Sequence, residues 1–251
     1  MRFSACIELL FAVEHPDFPD RIRAAKAAGL DAVEFWRFSN KDLDAVEAAL
    51  HETGLPLAGI LCEPIAPITN PDSHAEFLAG VRTSLAAAQK LGATMLIAQA
   101  GDDQHVARTA QHAAIVKVLK DAAKILEGTG VVLALEPLND RVDHPGYYLT
   151  STEEGLDIVD EVARPEVRLI YDIYHSAVMG ERIEDVLRGR VDRVVHAHLA
   201  DAPGRHEPGT GAMDYVDRLK WLFAQGYNGL VGLEYKPVKP TVEGLGFREN
   251  L

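Results

Sequence analysis

The chain is short of cysteine, of basic charge and of long apolar runs. Only two cysteines, Cys6 and Cys62, occur in 251 residues. Both sit in apolar stretches, which excludes a disulfide framework and a CxxC-type zinc site and fits a reducing compartment. Lys and Arg total 25 against 38 Asp and Glu, a formal net charge of -13, and the sequence pI is about 5.2. Such a surface repels phosphate backbones, so nucleic acid is not an expected partner. No apolar run reaches the ~18 residues of a membrane span, so no membrane partner is expected either. No basic segment with a small-residue cleavage pattern frames the leading FSACIELLF, and the cytoplasm is the expected location. GxSxG elbows, Walker loops and a GxGxxG after a strand are also missing.

What is present is alternation. Eight short, mostly continuous apolar runs read as strands: residues 3–7, 32–35, 57–61, 94–99, 131–136, 167–172, 193–198 and 230–234. Continuous runs suit parallel strands buried on both faces. Between them lie Ala-rich amphipathic stretches at 18–28, 41–53, 73–91, 106–128, 151–162, 183–187 and 213–225. Asn40 is a candidate cap for the second stretch, and Ser-Thr-Glu-Glu from Ser151 opens the fifth, as a capping start does. The phrase "helix, Gly, apolar strand" recurs in AAGLDAVEF, LGATMLIAQ and QGYNGLVGLE. This pattern predicts an α/β fold, a single (β/α)8 TIM barrel occupying residues 1–251 as one domain. A barrel of this kind typically takes roughly 250 residues. An open doubly wound sheet would place a Gly-rich loop after its first strand, and ELLFAVEHPDF stands there without a glycine.

The last four runs end in residues that bind hard metal ions: VVLALE at Glu136, VRLIYD at Asp172, RVVHAH at His198 and LVGLE at Glu234. Barrel active sites lie at the C-terminal strand ends. Strand-end acids also cap helices or bind backbone amides, but four in register on successive strands favour a metal centre. Three carboxylates and one imidazole suit Mn²⁺ or Mg²⁺, with Co²⁺ admissible, and lack the thiolates or multiple histidines that favour zinc. His175 falls in the predicted loop after the sixth strand. Arg205 sits in the pinned GRHEPG loop after the seventh, where its fork of donors fits a carboxylate or sugar hydroxyls. His196, two residues before His198 on the same strand, is expected deeper on the same face, packed or supporting rather than ligating. Glu34 and Glu63 are weaker pocket candidates; Trp36, Phe38 and Phe11 are candidate walls; Cys62 reads as a packing residue.

At these residues the chain resembles the xylose isomerase-like TIM barrels, and within them the hydroxypyruvate isomerases. The resemblance rests on AAKAAGLDAVEFW, LEPLN with the following DHPGYYL, YDIYH, GRHEPGTGAMDY, and GLEYKP followed by TVEGLG. It implies metal ligation by Glu136, Asp172, His198 and Glu234, an acid/base pair of Glu136 and Glu234, and substrate binding by His175 and Arg205. The reaction implied is proton movement beside a carbonyl through an enediolate, on hydroxypyruvate or a related small 2-oxo acid or sugar. Two departures stand out. His198 occupies a position where hydroxypyruvate isomerases commonly have Gln and ketose 3-epimerases His. Val142 stands where those epimerases carry a second Glu. After Cys62 the chain reads EPIAPITNPDSHAEF, without the longer PGD and PGRE segments of typical hydroxypyruvate isomerases. Ketose 3-epimerisation is therefore the alternative reaction, and a non-catalytic sugar- or metal-binding subunit the alternative of another class. Endonuclease IV shares the fold but uses a His-rich three-zinc site. A small-molecule partner is expected, and the apolar helices allow a homo-oligomer.

Overall fold

The computed structural model describes residues 1–251. The strands are β1 (Arg2–Cys6), β2 (Ala32–Glu34), β3 (Ile60–Leu61), β4 (Met95–Gln99), β5 (Val132–Glu136), β6 (Val167–Asp172), β7 (Val194–Leu199) and β8 (Leu230–Leu233). The helices are α1 (Phe18–Ala27), α2 (Leu43–Thr53), α3 (His74–Leu91), α4 (Arg108–Leu126), α5 (Thr152–Val162), α6 (Ile173–Met179), α7 (Ile183–Val186), α8 (Tyr215–Ala224) and α9 (Thr241–Gly244). All strand pairs are parallel, in the order β2-β1-β8-β7-β6-β5-β4-β3. The remaining seam closes through backbone bonds rather than a full ladder. Ala58 N donates to Val33 O at 2.8 Å and Leu61 N to Trp36 O at 2.9 Å. The result is the expected (β/α)8 TIM barrel. No helix is long and apolar enough to cross a membrane.

Local chemistry sets the helix ends. Asp42 caps α2 by accepting from Asp44 N and Ala45 N, and Gly54 closes it at φ +66°, a left-handed conformation that costs glycine little. The cap is thus Asp42 and not Asn40. Aspartate's carboxylate reaches the free N–H groups of the first turn, and helical geometry begins only after it. Ser151 caps α5, accepting from Glu154 N. Asp172 ends β6 and also caps α6, accepting from His175 N at 2.9 Å. His175 therefore lies in the first turn of a helix, where the sequence predicts a loop.

Apolar side chains divide into two layers. The larger fills the space between strands and helices, with Ile7, Leu10, Ile22, Leu96, Leu119 and Leu156 all fully buried. The smaller lies inside the barrel, where Leu61, Met95, Ile97, Ala134 and Ile170 pack together. That apolar filling belongs to β3–β6. On the opposite wall the interior is polar: Ser4, Glu34, His196 and His198 are buried from β1, β2 and β7. Alternation along each strand carries the same inward face up to Gln99, Glu136, Asp172 and His198.

Candidate active site

The strand-end residues converge. Ligand atoms of Glu136, Asp172, His198 and Glu234 all lie within 4.8 Å of one another, and all four side chains are buried. His198 is the centre. Its Nδ1 is 2.9 Å from Glu136 Oε1, 3.7 Å from Glu234 Oε2 and 3.9 Å from Asp172 Oδ2. Three carboxylates out of water at this spacing repel strongly unless a cation sits among them. The donor set is oxygen-rich with one imidazole nitrogen, so the residues present fit a divalent metal of the hard class.

The two glutamates differ in their surroundings. Glu234 accepts from Trp36 Nε1 at 2.7 Å through Oε1, and Arg205 binds its Oε2. Burial raises its pKa, but His198, Arg205 and the Trp36 hydrogen bond outweigh burial and hold it below the usual range. Glu136 engages His198 through Oε1, while its Oε2 accepts no hydrogen bond within the protein. Burial pushes Asp172 above the usual carboxylate range, against the pull of Arg205 and His198.

Arg205 and His175 flank the cluster. Arg205 has φ +55°, a left-handed backbone uncommon outside glycine. The loop around it is pinned: Lys236 N donates to Arg205 O at 2.7 Å. Asp201 accepts from Ala202 N, Met213 N and Gly209 N, and Glu207 accepts from Val238 N and Lys239 N. The guanidinium lies over the Tyr174 ring, 5.4 Å from its centroid, and its buried Nε has no partner. His175 is buried, with Nε2 3.6 Å from Asp172 Oδ2. Its Nδ1 receives Asn139 N at 3.0 Å and the Asn139 side-chain amide at 2.6 Å. Burial, then Arg205, push His175 down to about 4. The ring is neutral at pH 7, with Nδ1 accepting and its proton on Nε2.

A cavity of about 370 Å³ opens onto the cluster. Glu136, Glu234, Arg205, Trp36, His144 and Gln99 are among its lining. Asp172, His198 and His175 lie behind it. Of the aromatic candidates, Trp36 walls the cavity. Phe38 lines a neighbouring groove with Glu63, and Phe11 faces a separate hollow beside Pro240 and Val242. Glu63 does not reach the metal cluster; it accepts from Phe38 N, Ser39 N and Ser39 Oγ and holds the chain after β2. Asn139, Gln99 and His144 were not singled out from sequence. Gln99 had a readable signal, since it ends β4 directly opposite Glu136. Asn139 and His144 lie in the turn after β5, where no periodicity reports orientation.

An eight-stranded parallel barrel with an acid-rich, buried cluster at its C-terminal strand ends defines a class of barrel enzymes. A family model described as Xylose isomerase-like TIM barrel matches residues 22–251. The chain is 33% identical to a putative hydroxypyruvate isomerase of Xenopus laevis, covering 100% of this chain and 95% of that protein. It is 31% identical to hydroxypyruvate isomerase of Escherichia coli (strain K12), covering 98% and 97% respectively. The crystal structure of an AP endonuclease, family 2, from Brucella melitensis matches with a TM-score of 0.91 at 29% identity, over 99% of this chain and 98% of that one. The chain belongs to the xylose isomerase-like TIM barrel family.

Proposed function

We propose that this chain is a metal-dependent isomerase that moves a proton beside a carbonyl group, acting on hydroxypyruvate or a closely related hydroxy-oxo acid. The observation that carries this reading is the convergence of Glu136, Asp172, His198 and Glu234, with ligand atoms within 4.8 Å, at the floor of a cavity lined by Arg205. Full-length similarity to hydroxypyruvate isomerases supports the substrate class. All eight strands enter one barrel, which supports reading residues 1–251 as a single domain.

When bound by these four residues, a divalent cation such as Mn²⁺ or Mg²⁺ supplies Lewis acidity toward a carbonyl and charge compensation as a neighbouring C–H proton leaves. The protein's own groups do the rest. Glu136 presents an oxygen with no internal partner and is assigned proton removal or return at the substrate carbon. Glu234, held ionised by donors on both oxygens, serves as the other member of the pair. Arg205, whose guanidinium lines the cavity beside Glu234, is assigned the substrate's carboxylate or hydroxyl. His175, expected to bind substrate, is buried and absent from the cavity lining; its backbone N–H donates to Asp172 Oδ1 and holds that carboxylate instead.

Ketose 3-epimerisation is the second reading, favoured by His198 and by a cavity of about 370 Å³, roomy for a three-carbon acid. A nucleic-acid substrate, which the name of the Brucella structure raises, is opposed by the net charge of -13 and by a cluster with one imidazole. The test is turnover of hydroxypyruvate by protein stripped of metal and reloaded with Mn²⁺, followed by NMR for tartronate semialdehyde. Product is expected, and Arg205→Ala should raise KM roughly 10- to 100-fold, the equivalent of one lost charge-assisted hydrogen bond. Turnover of a ketose panel without action on hydroxypyruvate would move the assignment to epimerase. Silence on both would overturn the enzymatic reading.

A further inference from the structure

Beneath the four strand-end residues lies a second buried group that their chemistry does not use. Glu34, at the end of β2, is 2% exposed. Its Oε1 is 3.1 Å from His198 Nε2 and its Oε2 is 2.8 Å from His196 Nε2. Ser4 Oγ, from β1, donates to Oε2 at 3.0 Å. The His196 and His198 rings meet edge to face, with centroids 4.9 Å apart. Next to β7, strand β8 has a glycine where it faces this group. A Cβ at Gly232 of β8 would stand 2.4 Å from Glu34 Oε1, 2.6 Å from His196 Nε2 and 2.7 Å from His198 Cδ2. No side chain fits there while Glu34 keeps its place.

A carboxylate this deeply buried is expensive unless polar partners receive it. Here it sits on the one ring nitrogen of His198 that faces away from Glu136, Asp172 and Glu234. At 2.8 and 3.1 Å the carboxylate is in ion-pair contact with both ring nitrogens. We infer that Glu34, steadied by Ser4 and His196, is a positioning residue that fixes the His198 ring so that Nδ1 is presented to the metal centre. A carboxylate on the far nitrogen of a ligating histidine sets its tautomer and raises its basicity, and its loss commonly weakens metal affinity 10- to 100-fold. The inference rests on the metal reading of Glu136, Asp172, His198 and Glu234.

The test compares wild type with Glu34→Gln, which keeps size and shape but removes the charge. Both are stripped and titrated with Mn²⁺ against a chromophoric chelator, then with Co²⁺, whose visible spectrum reports coordination. Wild type should bind one ion per chain. The folded variant should bind Mn²⁺ about 10- to 100-fold more weakly, with a changed Co²⁺ spectrum and an unchanged far-ultraviolet circular dichroism spectrum. A folded variant with wild-type affinity and Co²⁺ spectrum would overturn the inference. So would two ions per wild-type chain with one lost in Glu34→Gln, because Glu34 would then be a ligand in its own right. Failure of wild type to bind any ion would sink the metal reading instead. If Glu34→Gln does not fold, Ser4→Ala decides the matter. It leaves the charge but releases the carboxylate from one hydrogen bond, and should weaken Mn²⁺ binding about 2- to 10-fold; unchanged affinity and spectrum would count against the inference.

Discussion

Two buried glutamates that look alike in sequence are held in different ways. Glu234 is gripped by Trp36 and Arg205, whereas Glu136 keeps one oxygen without an internal partner. Replacing either by Gln preserves shape and removes the proton-carrying group. Glu136→Gln and Glu234→Gln are each expected to lose about 10²-fold or more in turnover, with far-ultraviolet circular dichroism unchanged; full turnover in the double variant would refute the assignment. Gly232 gives a stability prediction. Its missing Cβ is replaced in space by Glu34 and two histidines, so Gly232→Ala should lower stability by about 1–3 kcal/mol through overpacking, read as a reduced urea midpoint. At this scale the metal cluster was legible in sequence because Glu136, Asp172, His198 and Glu234 end or directly follow apolar runs, where strand geometry fixes their direction. Asn139 was not, because a residue in a turn has no periodic neighbour to report which way it points. Glu34 is legible only as a pocket candidate, since nothing in a sequence shows that β2 and β7 bring it under His198.

Elements come next, and here the loop after β7 matters most. Asp201 alone accepts three backbone N–H groups within it, holding the left-handed turn that aims Arg205. Removing that carboxylate leaves three donors without partners, at about 1–3 kcal/mol each where buried. Asp201→Ala should therefore raise KM more than it lowers kcat, because Arg205 is released while the glutamates stay in place. A KM rise in Asp201→Ala that exceeds its kcat loss, as in Arg205→Ala, would support this link, and an unaffected KM in Asp201→Ala would break it. Strand positions were readable to within a residue or so for most of the barrel, since continuous apolar runs leave little choice. β3 was shorter than its run, with only Ile60–Leu61 in the ladder. α6 was missed because it follows β6 with no intervening turn residue: Asp172 ends the strand and caps the helix at once. A residue with two local duties carries no boundary signal of its own.

At the scale of the whole molecule, closure of the barrel is what turns four separate strand ends into one site. The β2–β3 seam is made of a few backbone bonds, while β4 through β8 pair in ladders, that of β6 and β7 with a register shift between Leu169 and Ile170. The ligands therefore sit on, or just beyond, the firmer wall. The same closure shields the two thiols, which are free and buried. Burial, with a smaller contribution from Glu63, leaves the Cys62 pKa pushed up to about 12, and burial with Glu234 and Glu34 raises Cys6 well above its ordinary value. Thiolate is the reactive form, so an aromatic disulfide reagent at pH 8 should find no fast-reacting thiol in the native protein and both in denaturant. A rapid native reaction would mean that the barrel opens. The central claim, metal-dependent proton transfer beside a carbonyl, is tested most directly by solvent-deuterium exchange. Hydroxypyruvate and a panel of ketoses are incubated in D₂O with Mn²⁺-loaded protein and with exhaustively chelated protein, and followed by NMR. Deuterium entering at carbon next to the carbonyl with metal, and ceasing on chelation, is the result expected; exchange that survives chelation, or no exchange into any substrate, would contradict it.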